Sequence, residues 1–96
     1  MLDKNAIMDV LEQALAEVQR NAQVVYPFSP DLKLIGREGV LDSLDSMLFL
    51  DAVDELLSAK DGKNIVIVND EAFSRHESPF RTVQSLADYI EEAIRP

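Results

Sequence analysis

The sequence offers few side chains that could carry out chemistry, and they do not form a catalytic set. It contains no cysteine, which excludes disulfides, thiolate metal sites and a thiol nucleophile belonging to the chain itself. The single histidine, His76, has no second imidazole or thiolate to work with, and we interpret it as a solvated loop residue. Asp51, Asp54 and Glu55 lack the spacing and the glycine of a calcium-binding loop. We therefore expect no intrinsic catalysis and no metal site, and any reactive sulfur must be imported.

Asp42 and Ser43 stand where the sequence predicts the start of a helix. Both are good N-cap residues, and they follow Gly39 at the end of a stretch rich in turn-forming residues. On its own, a serine at this place is explained by a simple cap that contributes about 1 kcal/mol. Whether Ser43 does more depends on the elements around it.

Hydrophobic periodicity predicts one all-α domain over residues 1–96. Amphipathic helices are predicted at about 3–22, 42–58 and 82–94, the last one capped by Thr82. Residues 23–41 contain two prolines and two glycines and should form a long loop packed by its own apolar side chains. A short helix is expected at about 70–75, after a β-branched run at 65–68 that we interpret as a buried extended connector. Together these elements predict a four-helix bundle with three main helices and one short one.

The second predicted helix is unusual because it carries apolar residues on two sides. One arc, which includes Phe49, Val53 and Leu57, is wide enough to face the core. The opposite arc mixes apolar and acidic side chains: Leu44, Asp45, Met47, Leu48, Asp51, Asp54 and Glu55. Either the two leucines of this arc tuck under the long loop or the last helix, or the arc docks on another protein. The flexible thioether of Met47 favours docking.

The charge of the chain limits its partners. Eighteen acidic residues against nine basic ones give a net charge of −9, which repels nucleic acids and anionic membranes. Residues 38–59 contain six acids and no lysine or arginine, so a partner that docks there should be basic. The first residues show no basic segment followed by an apolar stretch, and no run is apolar enough for a membrane span. We expect a cytoplasmic monomer without membrane insertion.

The segment Gly39-Val40-Leu41-Asp42-Ser43-Leu44-Asp45 resembles the signature of the acyl and peptidyl carrier protein family. In that family, an Asp-Ser-Leu at the start of the second helix receives 4′-phosphopantetheine. The order of elements extends the resemblance over most of the chain, from the leading helix and a long loop with Phe28 to a closing segment at 82–90 that is similar to the family's last helix. The chain departs from the housekeeping fatty-acid carrier at Leu41, where a small residue is common, and in the longer stretch at 60–78. These departures leave the pathway open.

The resemblance implies a cofactor and partners. It implies that 4′-phosphopantetheine is attached covalently to Ser43. It also implies that a phosphopantetheinyl transferase recognises Asp42 together with the metal ion of the transferase. It also implies that the mixed arc of the second helix docks on acyl-loading and acyl-processing enzymes with basic patches. A phosphodiester on Ser43 would lie beside the free N–H groups and the positive end of the helix dipole, so the location is physically suitable.

The expected function is therefore that of a freestanding acyl carrier. Such a protein tethers acyl intermediates as thioesters and presents them to enzymes of fatty-acid or related lipid or polyketide metabolism. An aminoacyl or peptidyl carrier is the alternative within the family. An unmodified acidic helical domain that binds one regulator through the same face is the alternative outside it.

Overall fold

The structure, a computed structural model, describes residues 3–20, 26–36, 39–62, 67 and 79–94. Three helices lie in these ranges: α1 (Lys4–Val18), α2 (Ser43–Asp61) and α3 (Val83–Ile94). These ranges contain no β-strand and are mostly helical, as the all-α prediction requires. The short helix predicted at 70–75 and most of the connector predicted at 65–68 lie outside the described residues.

The apolar stripes of the three helices meet in one core. Helix α1 packs against both α2 and α3. On the predicted core arc of α2, Phe49, Val53 and Leu57 are fully buried, whereas Leu50 and Leu56 are only partly buried. Leu34 joins the buried residues from the segment between α1 and α2. Phe28 and Leu32 pack against this cluster as predicted, whereas Tyr26 remains 39% exposed.

Helix α1 ends four residues earlier than predicted. The backbone N–H of Gln19 caps the helix through Leu15 and Glu17, and its side-chain amide pairs with the backbone of Tyr26. The Gln19 Oε1 accepts from the Tyr26 N–H at 2.8 Å, and Nε2 donates to the Tyr26 carbonyl at 3.4 Å. The side chain of the buried Gln19 thus holds the backbone of Tyr26 near the end of α1.

Helix α2 extends three residues beyond its predicted end. Lys60 and Asp61 continue the helix, and Gly62 then ends it in the left-handed conformation, at φ 74°. The Gly62 N–H donates to the Ser58 carbonyl at 2.9 Å. This is the usual way in which a glycine terminates a helix.

A short backbone segment, residues 30–34, ties together the starts of α2 and α3. We call it the strap. On one side, the N–H groups of Val40 and Leu41 donate to the carbonyls of Lys33 and Leu34, each at 3.0 Å. On the other side, the Leu34 N–H donates to Arg81, the Val83 N–H donates to Leu32, and Lys33 forms an antiparallel bridge with Thr82. The strap therefore sets the positions of both helix starts.

The start of α3 is capped by two side chains. The Ser85 N–H donates to Thr82 Oγ1, and the Thr82 N–H donates to Ser85 Oγ, both at 3.0 Å. This reciprocal pair is a variant of the capping box, and it confirms Thr82 as the predicted cap. At the surface, Lys4 pairs with Asp88 at 2.8 Å and links α1 to α3.

Candidate functional site

Ser43 is the first residue of α2, and its neighbour Asp42 is the N-cap of that helix. The Asp42 carboxylate accepts from the Asp45 N–H at 2.8 Å, and the Asp42 carbonyl accepts from the Ser46 N–H at 2.8 Å. The interpretation of Ser43 as a simple N-cap is therefore wrong, because the capping position is already occupied. The side chain of Asp42 is exposed, so its carboxylate can be approached while it caps the helix.

The residues that lead into α2 are held firmly. Gly39, Val40 and Leu41 each donate a backbone hydrogen bond to the turn or the strap that precedes them. Leu41 is only 8% exposed and packs in the core cluster. Leu41 thus anchors the backbone next to Asp42.

The apolar residues of the mixed arc point to solvent. Leu44 is 64% exposed, Met47 59% and Leu48 49%. These exposures exclude the alternative in which the two leucines tuck under the loop or the last helix. Asp51 and Glu55 are exposed beside them, and Asp45 is half-buried. We call Leu44, Asp45, Met47, Leu48, Asp51 and Glu55 the outer face of α2.

Asp54 differs from the other acids of the predicted docking set because its carboxylate is used inside the chain. Asp54 is half-buried, and its Oδ1 accepts from the Ile67 N–H at 3.0 Å. The Ile67 carbonyl in turn accepts from the Tyr89 hydroxyl at 3.1 Å, and Ile67 itself is fully buried. Asp54 of α2 thus binds the backbone N–H of the core residue Ile67, and Tyr89 of α3 binds its backbone carbonyl.

The environment of Asp54 raises the pKa of its carboxyl group. Partial burial disfavours the charged form most strongly, the Ile67 N–H opposes this by stabilising the carboxylate, and the negative charge of Asp51 raises the pKa further. Because the pKa is higher in the folded than in the unfolded chain, folding is favoured while the group is protonated. That contribution is lost as the pH rises through the raised pKa.

We expect Asp54→Asn to be as stable as the wild type at neutral pH, or more stable by a few tenths of a kcal/mol. The asparagine keeps an oxygen for the Ile67 N–H and removes the unfavourable charge. Its advantage should shrink as the pH falls from neutral through the raised pKa of the wild-type carboxyl, because that group then becomes protonated. Asp54→Ala leaves a buried N–H without this acceptor and should cost about 1–3 kcal/mol. Urea unfolding of the three proteins across this pH range measures both effects, and equal stability of the two variants would contradict the role given to Asp54.

Within the described ranges, no cluster of acidic or histidine side chains could hold a metal ion. Over the same ranges, none of the helices is both long enough and apolar enough to span a membrane. His76 lies outside the described residues.

Comparison of the chain with protein-family models, with curated proteins and with solved structures finds no match.

Proposed function

We propose that this protein is an acyl carrier protein that bears 4′-phosphopantetheine on Ser43. The observation that supports this most is the position of Ser43: it is the first residue of a helix whose cap is filled by Asp42, next to an exposed face of leucine, methionine and acids. A serine that is not needed as the cap can be modified without loss of that cap. The exposed apolar side chains beside Ser43 suit a surface that other proteins bind.

The start of α2 fits the phosphate of such an arm. The helical hydrogen-bond ladder begins with the Ser46 N–H, and the Asp45 N–H goes to the cap, so the N–H groups of residues 43 and 44 precede the ladder. These groups and the helix dipole favour an anion at this position. The exposed Asp42 carboxylate would offer an oxygen to the metal ion of the transferase. Once attached, the arm would supply the thiol that the sequence lacks, for acyl groups held as thioesters.

The outer face of α2 would let partner enzymes recognise the carrier. Its apolar side chains lose exposed surface when a partner docks, and its acids attract basic partner surfaces. Because exposed charge pairs are weak and screened by salt, the affinity should be modest, and the carrier can leave again. Tethering raises the effective concentration of the cargo at each docked enzyme. We propose acyl-loading and acyl-processing enzymes as the partners, in fatty-acid or related lipid or polyketide metabolism.

The decisive test is intact mass after co-expression with a broad-specificity phosphopantetheinyl transferase and coenzyme A. We expect a gain of one arm in the wild type and in Ser46→Ala, and no gain in Ser43→Ala. Ser46 is the matched control because it lies in the same first turn of α2. Circular dichroism should be unchanged in both variants, since Asp42 provides the cap in each.

The other outcomes separate the alternative functions. No mass gain in the wild type would overturn the carrier function and leave an acidic interaction domain that uses the outer face alone. A gain that persists in Ser43→Ala would move the attachment site elsewhere. If the arm is present, the mass of the cargo released from the thioester by hydroxylamine distinguishes an acyl carrier from an aminoacyl or peptidyl carrier.

A further inference from the structure

The segment that leads into α3 is joined to the segment that leads into α2 by backbone hydrogen bonds of the strap. The Arg81 carbonyl accepts from the Leu34 N–H at 2.8 Å, and the Leu34 carbonyl accepts from the Leu41 N–H at 3.0 Å. Leu41 directly precedes Asp42, the N-cap of α2. A single strap residue thus uses both of its backbone groups to connect the two helix starts.

Ser85 holds the segment that leads into α3. Its Oγ accepts from the Thr82 N–H at 3.0 Å, and its backbone N–H donates to Thr82 Oγ1 at 3.0 Å. The Ser85 hydroxyl has one proton to donate, and it lies 2.9 Å from the Pro79 carbonyl and 3.1 Å from the Thr82 carbonyl. Arg81 lies between these two residues in the chain. The half-buried Ser85 side chain therefore fixes the turn that presents the Arg81 carbonyl to the strap.

We propose that Ser85 is a positioning residue for the modification of Ser43, a role that rests on the function proposed above. It acts through the backbone bonds of Arg81 and Leu34, which hold the residue before the α2 cap. The transferase has to fit the serine hydroxyl and the exposed Asp42 carboxylate into one active site, so small displacements of this backbone reduce productive binding. Loss of the Ser85 hydroxyl should therefore impair loading at the other end of the strap.

NMR spectra of the unmodified full chain test the backbone link. Ser85→Ala removes the contacts of the hydroxyl and keeps the Thr82 Oγ1 cap, which accepts from the backbone N–H of residue 85. We expect the amide signals of Leu34, Leu41 and Asp45 to shift, because each lies on the path from the hydroxyl to the α2 cap. A substitution that only lowered the free energy of unfolding would leave these native-state signals in place.

Loading kinetics test the consequence for Ser43. At equal concentrations of folded protein, Ser85→Ala should raise the KM of the transferase for this protein about threefold and leave kcat unchanged. Only molecules with the start of α2 in place bind productively, so the KM rises as their fraction falls, whereas bound molecules react as before. Ser85→Thr keeps a hydroxyl and should restore both the amide signals and the KM.

Gln84→Ala is the matched control. Gln84 precedes Ser85 in the same turn, and both side chains are half-buried. The Gln84 side chain donates to Asp88 at 2.9 Å, away from the strap, and its backbone N–H, which donates to the Pro30 carbonyl, remains in the variant. Gln84→Ala should leave the Asp45 amide signal and the KM at their wild-type values.

Several results would overturn the role of Ser85. They are unchanged amide signals in Ser85→Ala, shifted signals with an unchanged KM, an equal rise of the KM in Gln84→Ala, or a KM that Ser85→Thr does not restore. If the wild type is not loaded at all, the proposed function fails and the role of Ser85 fails with it. In each of the other cases the wild type is loaded, so that sample alone distinguishes the two failures.

Discussion

Replacing Gly39 with alanine should destabilise the protein by about 3 kcal/mol. A Cβ atom at this position would overlap the Leu34 carbonyl oxygen, and it would lie 2.7 Å from the Leu34 carbonyl carbon and 2.8 Å from the Ile35 Cα. All three are backbone atoms, so relief requires the strap or the residues before α2 to move. Because those residues carry Asp42, the start of α2 should shift, and loading of Ser43 should fall with stability. Urea unfolding measures the first effect, and the mass assay measures the second.

Gly62→Ala is the matched control for Gly39→Ala. A Cβ at Gly62 would meet nothing within 4 Å, so the cost comes only from the left-handed conformation at φ 74°. We expect about 1 kcal/mol and unchanged loading, since Gly62 ends α2 far from Ser43. If Gly39→Ala cost no more than Gly62→Ala, the close approach at Gly39 would not be the reason for a glycine there.

Phe49→Ala should lower the stability of the fold, whereas Leu48→Ala should leave the stability nearly unchanged and impair recognition, although the two residues are neighbours in α2. Phe49 is fully buried and one of the largest core side chains, so its removal should cost about 3–5 kcal/mol. That is a large part of the 5–15 kcal/mol that stabilises a typical domain. Thermal unfolding should therefore show a much lower midpoint, with part of the Phe49→Ala chain unfolded at room temperature if the total stability is low.

Leu48→Ala should change the stability by no more than about 0.5 kcal/mol, because the side chain is 49% exposed. We expect it instead to slow loading by the transferase, since Leu48 belongs to the outer face of α2. The loading rates of Leu48→Ala and the wild type are compared at equal concentrations of folded protein. Normal loading by a well-folded Leu48→Ala would place recognition away from this side chain.

Helical periodicity was enough to predict α1, α2 and α3 and their buried faces. The helix ends were less predictable, because they depend on individual contacts. Gln19 follows α1 and forms two side-chain hydrogen bonds with the backbone of Tyr26, and no periodic pattern indicates which residue a side-chain amide will meet. Gly62 is visible in the sequence as a terminator, but the preceding Lys60 and Asp61 gave no sign that the helix would continue to them.

Part of the candidate site was also predictable from helical periodicity. The spacing of Leu44, Met47 and Leu48 places them on the arc of α2 opposite the core, but only the structure shows that they are exposed. The internal role of Asp54 could not be read in this way, because it depends on Ile67, which is distant in sequence and arrives through the tertiary fold.

The strap has a consequence for the order in which the molecule is completed during synthesis. The Leu34 N–H pairs with the carbonyl of Arg81, and the Val83 N–H pairs with the carbonyl of Leu32, whereas Ser43 is synthesised well before residues 81–83. A nascent chain that has emerged only as far as α2 thus lacks the hydrogen bonds that the strap makes with Arg81, Val83 and Gln84. The backbone that positions Ser43 becomes complete only when the beginning of α3 has left the ribosome. An enzyme that requires this backbone geometry would then act on finished chains in preference to growing ones.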